Sequence, residues 1–254
     1  MINMKNKVII SPPFGGHVSF KGANSVIGSL TLEKRRGAVW QFLKTFRKTE
    51  GGYINKIGLR NPGIDSLKRK NFSIFNDKIL SIAVIDDTQW LGLAKRLKDF
   101  NLQGFSPLCV ELNISCPNTD YKCRDILPII AEFKPMFANM SFSVKLSPIV
   151  SSLGVIEQCL QNGIKIFHLS NTIPTEKGGI SGSLLKEKSL SLIAKARDEF
   201  KKEITIIGGG GIYSKEDIDL YKQYGADIFS LSTVIVKYPL KVKSIITHAN
   251  LYDM

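Results

Sequence analysis

Positions 111–118 read Glu-Leu-Asn-Ile-Ser-Cys-Pro-Asn, so two amides, Asn113 and Asn118, and one thiol, Cys116, fall within six residues. Side-chain amides both donate and accept, which suits a planar ligand carrying both kinds of group. A loop thiol serves as a general base once its pKa is lowered. The same asparagines would equally serve only to tie a turn together. A second segment, Val144-Lys-Leu-Ser-Pro148, sets a cation between two apolar residues. Strand alternation turns Lys145 to the side opposite Val144 and Leu146, and a lysine inside a protein needs a counter-charge, a ligand or solvent. Two readings stay open: a cation beside the N1/O2 edge of a flavin ring, stabilising its reduced anion, or an ion pair with an acidic neighbour such as Glu111.

Further along come Ser170-Asn171-Thr172, Gly178-Gly-Ile-Ser-Gly182, Gly208-Gly-Gly-Gly-Ile212 and Ser232-Thr233. Consecutive glycines let backbone N–H groups approach an anion, and a following helix N-terminus adds a favourable dipole. Flexible turns are the plainer reading, though four glycines in a row are costly without a purpose. By itself the run identifies only a phosphate binder.

Such residues need a frame that brings them together. Short β-branched runs recur along the chain, and amphipathic stretches separate most of them, the pattern of parallel strands with crossover helices. Eight strands are expected, at Lys7–Ser11, Ser25–Thr31, Leu80–Ile85, Leu108–Ile114, Ser141–Leu146, Lys165–Ser170, Ile204–Gly208 and Asp227–Leu231. Helices are expected at Val39–Thr49, Thr88–Asp99, Ile126–Phe137, Val155–Asn162, Leu184–Phe200 and Lys215–Tyr224, with a last one from Pro239 to about His248. Eight strands in 254 residues suit a (β/α)8 barrel in a single domain. The polar motifs then fall just after strands, at the end of the barrel where reactive residues gather.

Composition removes several other classes. No apolar stretch is long enough to span a membrane, and the N-terminus lacks a signal-peptide layout, so a cytoplasmic location is expected. Four cysteines, at 109, 116, 123 and 159, form no Cys-x-x-Cys pair, and the three histidines are scattered, so no metal site is expected. The net charge of +13 would attract anions. No nucleic-acid recognition motif accompanies it, so small anionic molecules are the expected partners rather than nucleic acid.

Taken together, Asn113-Ile-Ser-Cys-Pro-Asn118, Val144-Lys-Leu-Ser-Pro148, Asn171-Thr172, Gly178-Gly-Ile-Ser-Gly182 and Ile206–Ile212 resemble the dihydroorotate dehydrogenase family in kind and in order. Asn55-Lys-Ile-Gly-Leu-Arg-Asn-Pro-Gly63 resembles that family's substrate-loop segment, and the likeness runs from about Ser25 to the C-terminus. The resemblance implies FMN-dependent oxidation of (S)-dihydroorotate to orotate in pyrimidine biosynthesis. Cys116 would be the base, taking a proton from C5 while a hydride leaves C6 for N5 of FMN, and Lys145 would contact the flavin ring. Asn55, Asn113, Asn118 and Asn171, with Thr172 and the backbone of Gly58 and Leu59, would hold the substrate. Asn171, Ser181, Gly182, Gly210, Gly211, Ser232 and Thr233 would hold FMN, the last three glycines and Thr233 at its phosphate. The sequence names no electron acceptor, and a homodimer stays open.

The likeness is weaker in the first quarter. Where the family has an Ala/Gly-rich flavin loop, this chain reads Ser11-Pro-Pro-Phe-Gly-Gly16, and proline removes N–H donors. Gly28 falls where the family has a lysine that touches flavin and substrate. Only Ile173–Lys177 separate Asn171-Thr172 from the next glycine motif, and Ser232 replaces a common glycine. These departures suggest two other functions: an FMN oxidoreductase acting on another cyclic amide or pyrimidine, or a barrel that binds a nucleotide-like ligand or a protein partner without catalysis.

Overall fold

The computed structural model describes residues 4–115, 125–148, 152–176 and 178–253. Eight parallel strands close into a barrel: β1 (Val8–Ile10), β2 (Asn24–Leu30), β5 (Ile79–Ile82), β6 (Cys109–Asn113), β7 (Phe142–Lys145), β8 (Ile166–Leu169), β11 (Thr205–Gly209) and β12 (Ile228–Leu231), with β1 hydrogen-bonded to both β2 and β12. All eight lie within or overlap the strands expected from sequence. The helices α2 (Gln89–Leu102), α3 (Leu127–Phe133), α4 (Leu153–Gln161), α5 (Lys186–Phe200), α6 (Lys215–Gln223) and α8 (Val242–Ala249) fall where amphipathic stretches were expected, and a short α7 (Val234–Lys237) follows β12.

The expected helix over Val39–Thr49 is cut short. It ends as α1 (Ala38–Thr45), and the chain turns into a hairpin, β3 (Arg47–Thr49) and β4 (Gly52–Asn55). The segment expected to be a glycine loop is a second hairpin, β9 (Ile173–Thr175) and β10 (Gly178–Gly182). β10 pairs with β4, so the two hairpins make one four-stranded antiparallel sheet, order β3-β4-β10-β9. Gly51-Gly52 between two short alternating runs was the local hairpin signal. What the sequence pattern hid is that Thr49 pairs with Gly52 across a hairpin, and that Gly52 finds its other partner, Gly182, on a strand more than a hundred residues away.

Alternation along the barrel strands separates two cores. Val8, Ile10, Leu80, Val110, Val144 and Phe229 face outward and join Trp90, Leu93 and Ile130 of the helices in one cluster. Ile9, Val26, Ile79, Cys109, Ile166, Ile207 and Ile228 form a separate cluster inside the barrel, with Met4 and Leu108 packed against it. This is one apolar layer at the bottom. Two residues further along the strands the interior positions are Ser11, Gly28, Ser81, Glu111, His168, Gly209 and Ser230, with Ser143 on β7. Barrels of this kind usually fill their interior with branched apolar layers. Here the layer above the first carries no apolar side chain, and its serines, Glu111 and His168 are buried.

Packing explains the glycine run. A Cβ on Gly208 would meet Ala226, Ile193 and Tyr221 at 2.9 Å, one on Gly209 would meet Ser230 at 2.7 Å, and one on Gly211 would meet the Ser183 backbone at 2.7 Å. Close approach of β11 to α5, β12 and the Ser183 turn therefore requires these glycines before any ligand is considered. Downstream, Ser214 and Asp217 form a capping box that starts α6 directly beyond the run.

Candidate active site

The motif residues meet at the C-terminal mouth of the barrel. One cavity, about 190 Å³, is lined by Asn55, Leu59, Asn113, Lys145, Asn171, Thr172, Ser181, Ser232 and Thr233, along with Pro12 and Pro13 of the divergent first loop. A deeper one, about 90 Å³, shares Lys145, Asn171, Thr172, Ser181, Ser232 and Thr233 with it and adds Gly210, Gly211, Ser170 and His168. Six residues named from sequence thus join the two cavities into one site. Gly58 and Gly182 line neither. The Gly58 carbonyl accepts from Nε and Nη2 of Arg35 at 3.3 and 3.1 Å. Gly182 has φ 111°, and a Cβ there would lie 2.7 Å from Gly52 Cα, so its smallness serves the contact between β10 and β4. Cys116 and Asn118 lie outside the described residues.

The amides are fixed by a chain of hydrogen bonds that crosses three strands. Asn171 Nδ2 donates to Asn113 Oδ1 at 3.0 Å and to the Ser115 carbonyl and Oγ at 3.1 Å. Asn113 Nδ2 donates to Ser29 Oγ at 2.9 Å, and Ser29 Oγ lies 2.8 Å from Ser81 Oγ. Neither Ser29 nor Ser81 was singled out in the sequence; strand register brings them under the amides. Leu59 holds φ 53°, a strained value for a non-glycine residue, and its carbonyl accepts from Asn61 Nδ2 at 2.6 Å. The substrate-loop segment thus presents Leu59 to the cavity in a braced turn, and Arg60 and Asn61 line the same cavity.

Lys145 is 8% exposed, and its side chain borders both cavities. The alternative reading, an ion pair with Glu111, is corrected by the geometry. The direct partner of Glu111 is His168, whose Nδ1 lies 2.7 Å from Glu111 Oε2. Burial by itself would raise the Glu111 carboxyl. The Lys145 ammonium and His168 outweigh that and hold it at about 2, so it is ionised. Burial, then the Lys145 charge, lowers His168 below its ordinary value, so the ring is neutral and donates Nδ1–H to the carboxylate. The sequence reading passed over His168 because its meaning depends on a partner 57 positions away.

The deep cavity suits a phosphate. Tyr221 Oη donates to the carbonyls of Gly209 and Gly210 at 2.8 and 2.7 Å, and the N–H groups of Gly210 and Gly211 have no backbone acceptor among the described residues. Ser232 Oγ donates to the Pro12 carbonyl at 3.3 Å, which ties the divergent first loop to the end of β12. Gly28 has φ 122°, and a Cβ on it would meet the Ser81 carbonyl at 2.2 Å, so no side chain fits at this position. Among the described residues no helix is long and apolar enough to cross a membrane.

The dihydroorotate dehydrogenase family model matches residues 17–250. Among curated proteins, the chain is 28% identical over 277 aligned positions to the catalytic subunit of dihydroorotate dehydrogenase B (NAD(+)) from Endomicrobium trichonymphae, covering 96% of this chain and 87% of that protein. The protein of the same name from Thermotoga maritima is 26% identical over 208 positions, covering 76% of each. Among solved structures, ligand-free DHODH from Eimeria tenella superposes with a TM-score of 0.82 at 17% identity, covering 98% of this chain and 84% of that one, which is a likeness of fold. With the family match running through the barrel from its first loop to its last helix, the protein is a member of the dihydroorotate dehydrogenase family and an oxidoreductase.

Proposed function

We propose that the protein oxidises (S)-dihydroorotate to orotate with FMN as its cofactor. The observation that carries the reading is the hydrogen-bonded amide chain Asn171–Asn113–Ser29, which opens on the same cavity as Lys145. Braced amides of this kind hold a planar ring carrying C=O and N–H groups in one orientation, and orientation supplies much of the rate. Asn55, Thr172 and the Leu59 turn complete the wall around such a ring, and Cys116 and Asn118 belong to the same motif as Asn113. Arg60 borders the cavity and offers a cation to the substrate carboxylate, a role that a side chain at position 28 has no room to fill.

FMN, when bound, supplies the ring that accepts a hydride from the substrate. Lys145 would balance negative charge on that ring, and Gly210, Gly211 and Thr233 would receive its phosphate, a reading supported by their lining one cavity together with Ser181 and Ser232. Cys116 takes the substrate proton. The relatives named as catalytic subunits of an NAD(+) enzyme support NAD+ as the terminal oxidant, reached through another subunit.

An absorption spectrum of the purified protein, followed by anaerobic addition of dihydroorotate, tests this reading. Flavin bands that bleach are expected. Flavin that stays oxidised favours a second reading, oxidation of a different cyclic amide, which the blocked position 28 supports. A protein that takes up no FMN defeats both.

A further inference from the structure

We propose that Glu111 and His168 form a fixed counter-charge inside the barrel that sets how strongly Lys145 stabilises negative charge on the bound flavin. The inference rests on the FMN reading above and goes beyond it, because neither residue touches substrate in that scheme. Both are positioning residues acting through Lys145.

The geometry is specific. Lys145 on β7 stands in register with Asn113 of β6 on one side and His168 of β8 on the other. Glu111, one interior step below Asn113, is in register with Ser143, one interior step below Lys145. The 2.7 Å bond from His168 to Glu111 therefore joins β6 to β8 across β7, passing beneath the lysine. Glu111 is fully buried and His168 is 1% exposed, yet Lys145 makes no ion pair with Glu111. The carboxylate is anchored by the imidazole and acts on the ammonium through space, while Lys145, with no ion pair among the described residues, borders the cavity.

Stability does not account for the pair. A buried charge with imperfect partners is often no better than well-packed apolar side chains in its place. This one is imperfect: among the described residues His168 Nε2 is buried with no hydrogen-bond partner. The apolar layer directly below shows that these strands can fill the barrel with isoleucine. A structural pair also has no need to border a ligand cavity, whereas His168 shares the deep cavity with Lys145, Ser170 and Asn171. The neutral imidazole fixes the carboxylate by a single N–H and adds no charge of its own. The device consists of one positive charge at the cavity wall and one negative charge held a layer deeper.

The test uses the FMN-loaded protein and the reduction potential of its flavin, measured by equilibration with a reference dye. Glu111→Gln keeps an acceptor for His168 but removes the charge, leaving the ammonium uncompensated. The potential should become more positive, with affinity for reduced over oxidised FMN up on the order of tenfold, about 30 mV for a two-electron couple. Glu111→Asp keeps the charge and should stay near wild type. Should Glu111→Gln not fold, Glu111→Leu with His168→Leu removes the same charge while filling the layer, and must raise the potential likewise. Nitrogen NMR of the flavin-free protein should show His168 as the neutral ring protonated at Nδ1. Bound FMN with an unmoved or more negative potential in the charge-removing variants overturns the inference alone. Equal shifts in the Gln and Asp variants overturn it too, since shape rather than charge would then matter. Absence of flavin bands in the wild-type protein overturns the FMN reading and this inference together.

Discussion

Replacing Gly210 by alanine separates the two meanings of the glycine run. Its φ is 105°, and a Cβ would stand 2.8 Å from Leu185 Cβ and 3.2 Å from Ser189 Oγ. Holding an L-residue in such a conformation costs about 1–3 kcal/mol. The contact with Leu185 cannot be relieved by rotating a side chain, because its Cβ is fixed to the backbone, and overpacking of this kind costs about another 1–3 kcal/mol. Against a typical total stability of about 5–15 kcal/mol, the flavin-free protein should lose a large share. Gly154 is the control. It lies in α4 with nothing within 4 Å of its would-be Cβ, so the same substitution there should be neutral or stabilise by up to about 1 kcal/mol. Urea unfolding without FMN measures both, provided the denaturant slope is unchanged. If Gly210→Ala lies within about 1 kcal/mol of wild type, or Gly154→Ala costs as much, the packing account of the glycines is wrong. A variant that is stable without flavin but fails to bind FMN would return the run to a ligand role alone.

Three further outcomes are expected. Glu111 titrates at about 2 in the fold against an ordinary 4.5, so its stabilising contribution is complete above the higher value and is lost as pH falls between the two, up to roughly 3 kcal/mol; His168, lowered from 6.5, loses stability in the same acid direction starting higher. Unfolding of wild type and Glu111→Gln from pH 7 to 3 checks this, and parallel curves refute it. Asn171→Ala removes the donor that joins Asn113 to Ser115, costing about 1–3 kcal/mol and raising KM for dihydroorotate about tenfold or more, with FMN retained; an unchanged KM removes Asn171 from substrate binding. Cys116→Ala should slow single-turnover flavin reduction by ~10²–10⁴ with FMN still bound, and near-wild-type reduction would show that another group is the base.

The barrel was legible because its signal is local. A strand covered by helices outside and side chains inside reads as a short β-branched run, and eight such runs separated by amphipathic stretches leave few topologies. That Asn113, Lys145 and Asn171 would line one cavity was legible for the same reason: each follows or ends a strand, and strand ends converge at one mouth. The hairpin sheet was hidden, since β3 falls at the end of a helical pattern and β4 gains its second neighbour only from Gly178–Gly182 of β10. The glycine run was half read. Its sequence suggested a ligand, while the closeness of Leu185, Ser183 and Ser230 is visible only in the packed molecule. Glu111 could be placed inside the barrel from alternation, and its charge invited a pairing with Lys145. Which base it meets depends on the stagger between β6, β7 and β8, which no single strand encodes. Closure of the sheet set that stagger and put His168 across from Glu111, leaving Lys145 at the cavity wall with no ion pair among the described residues.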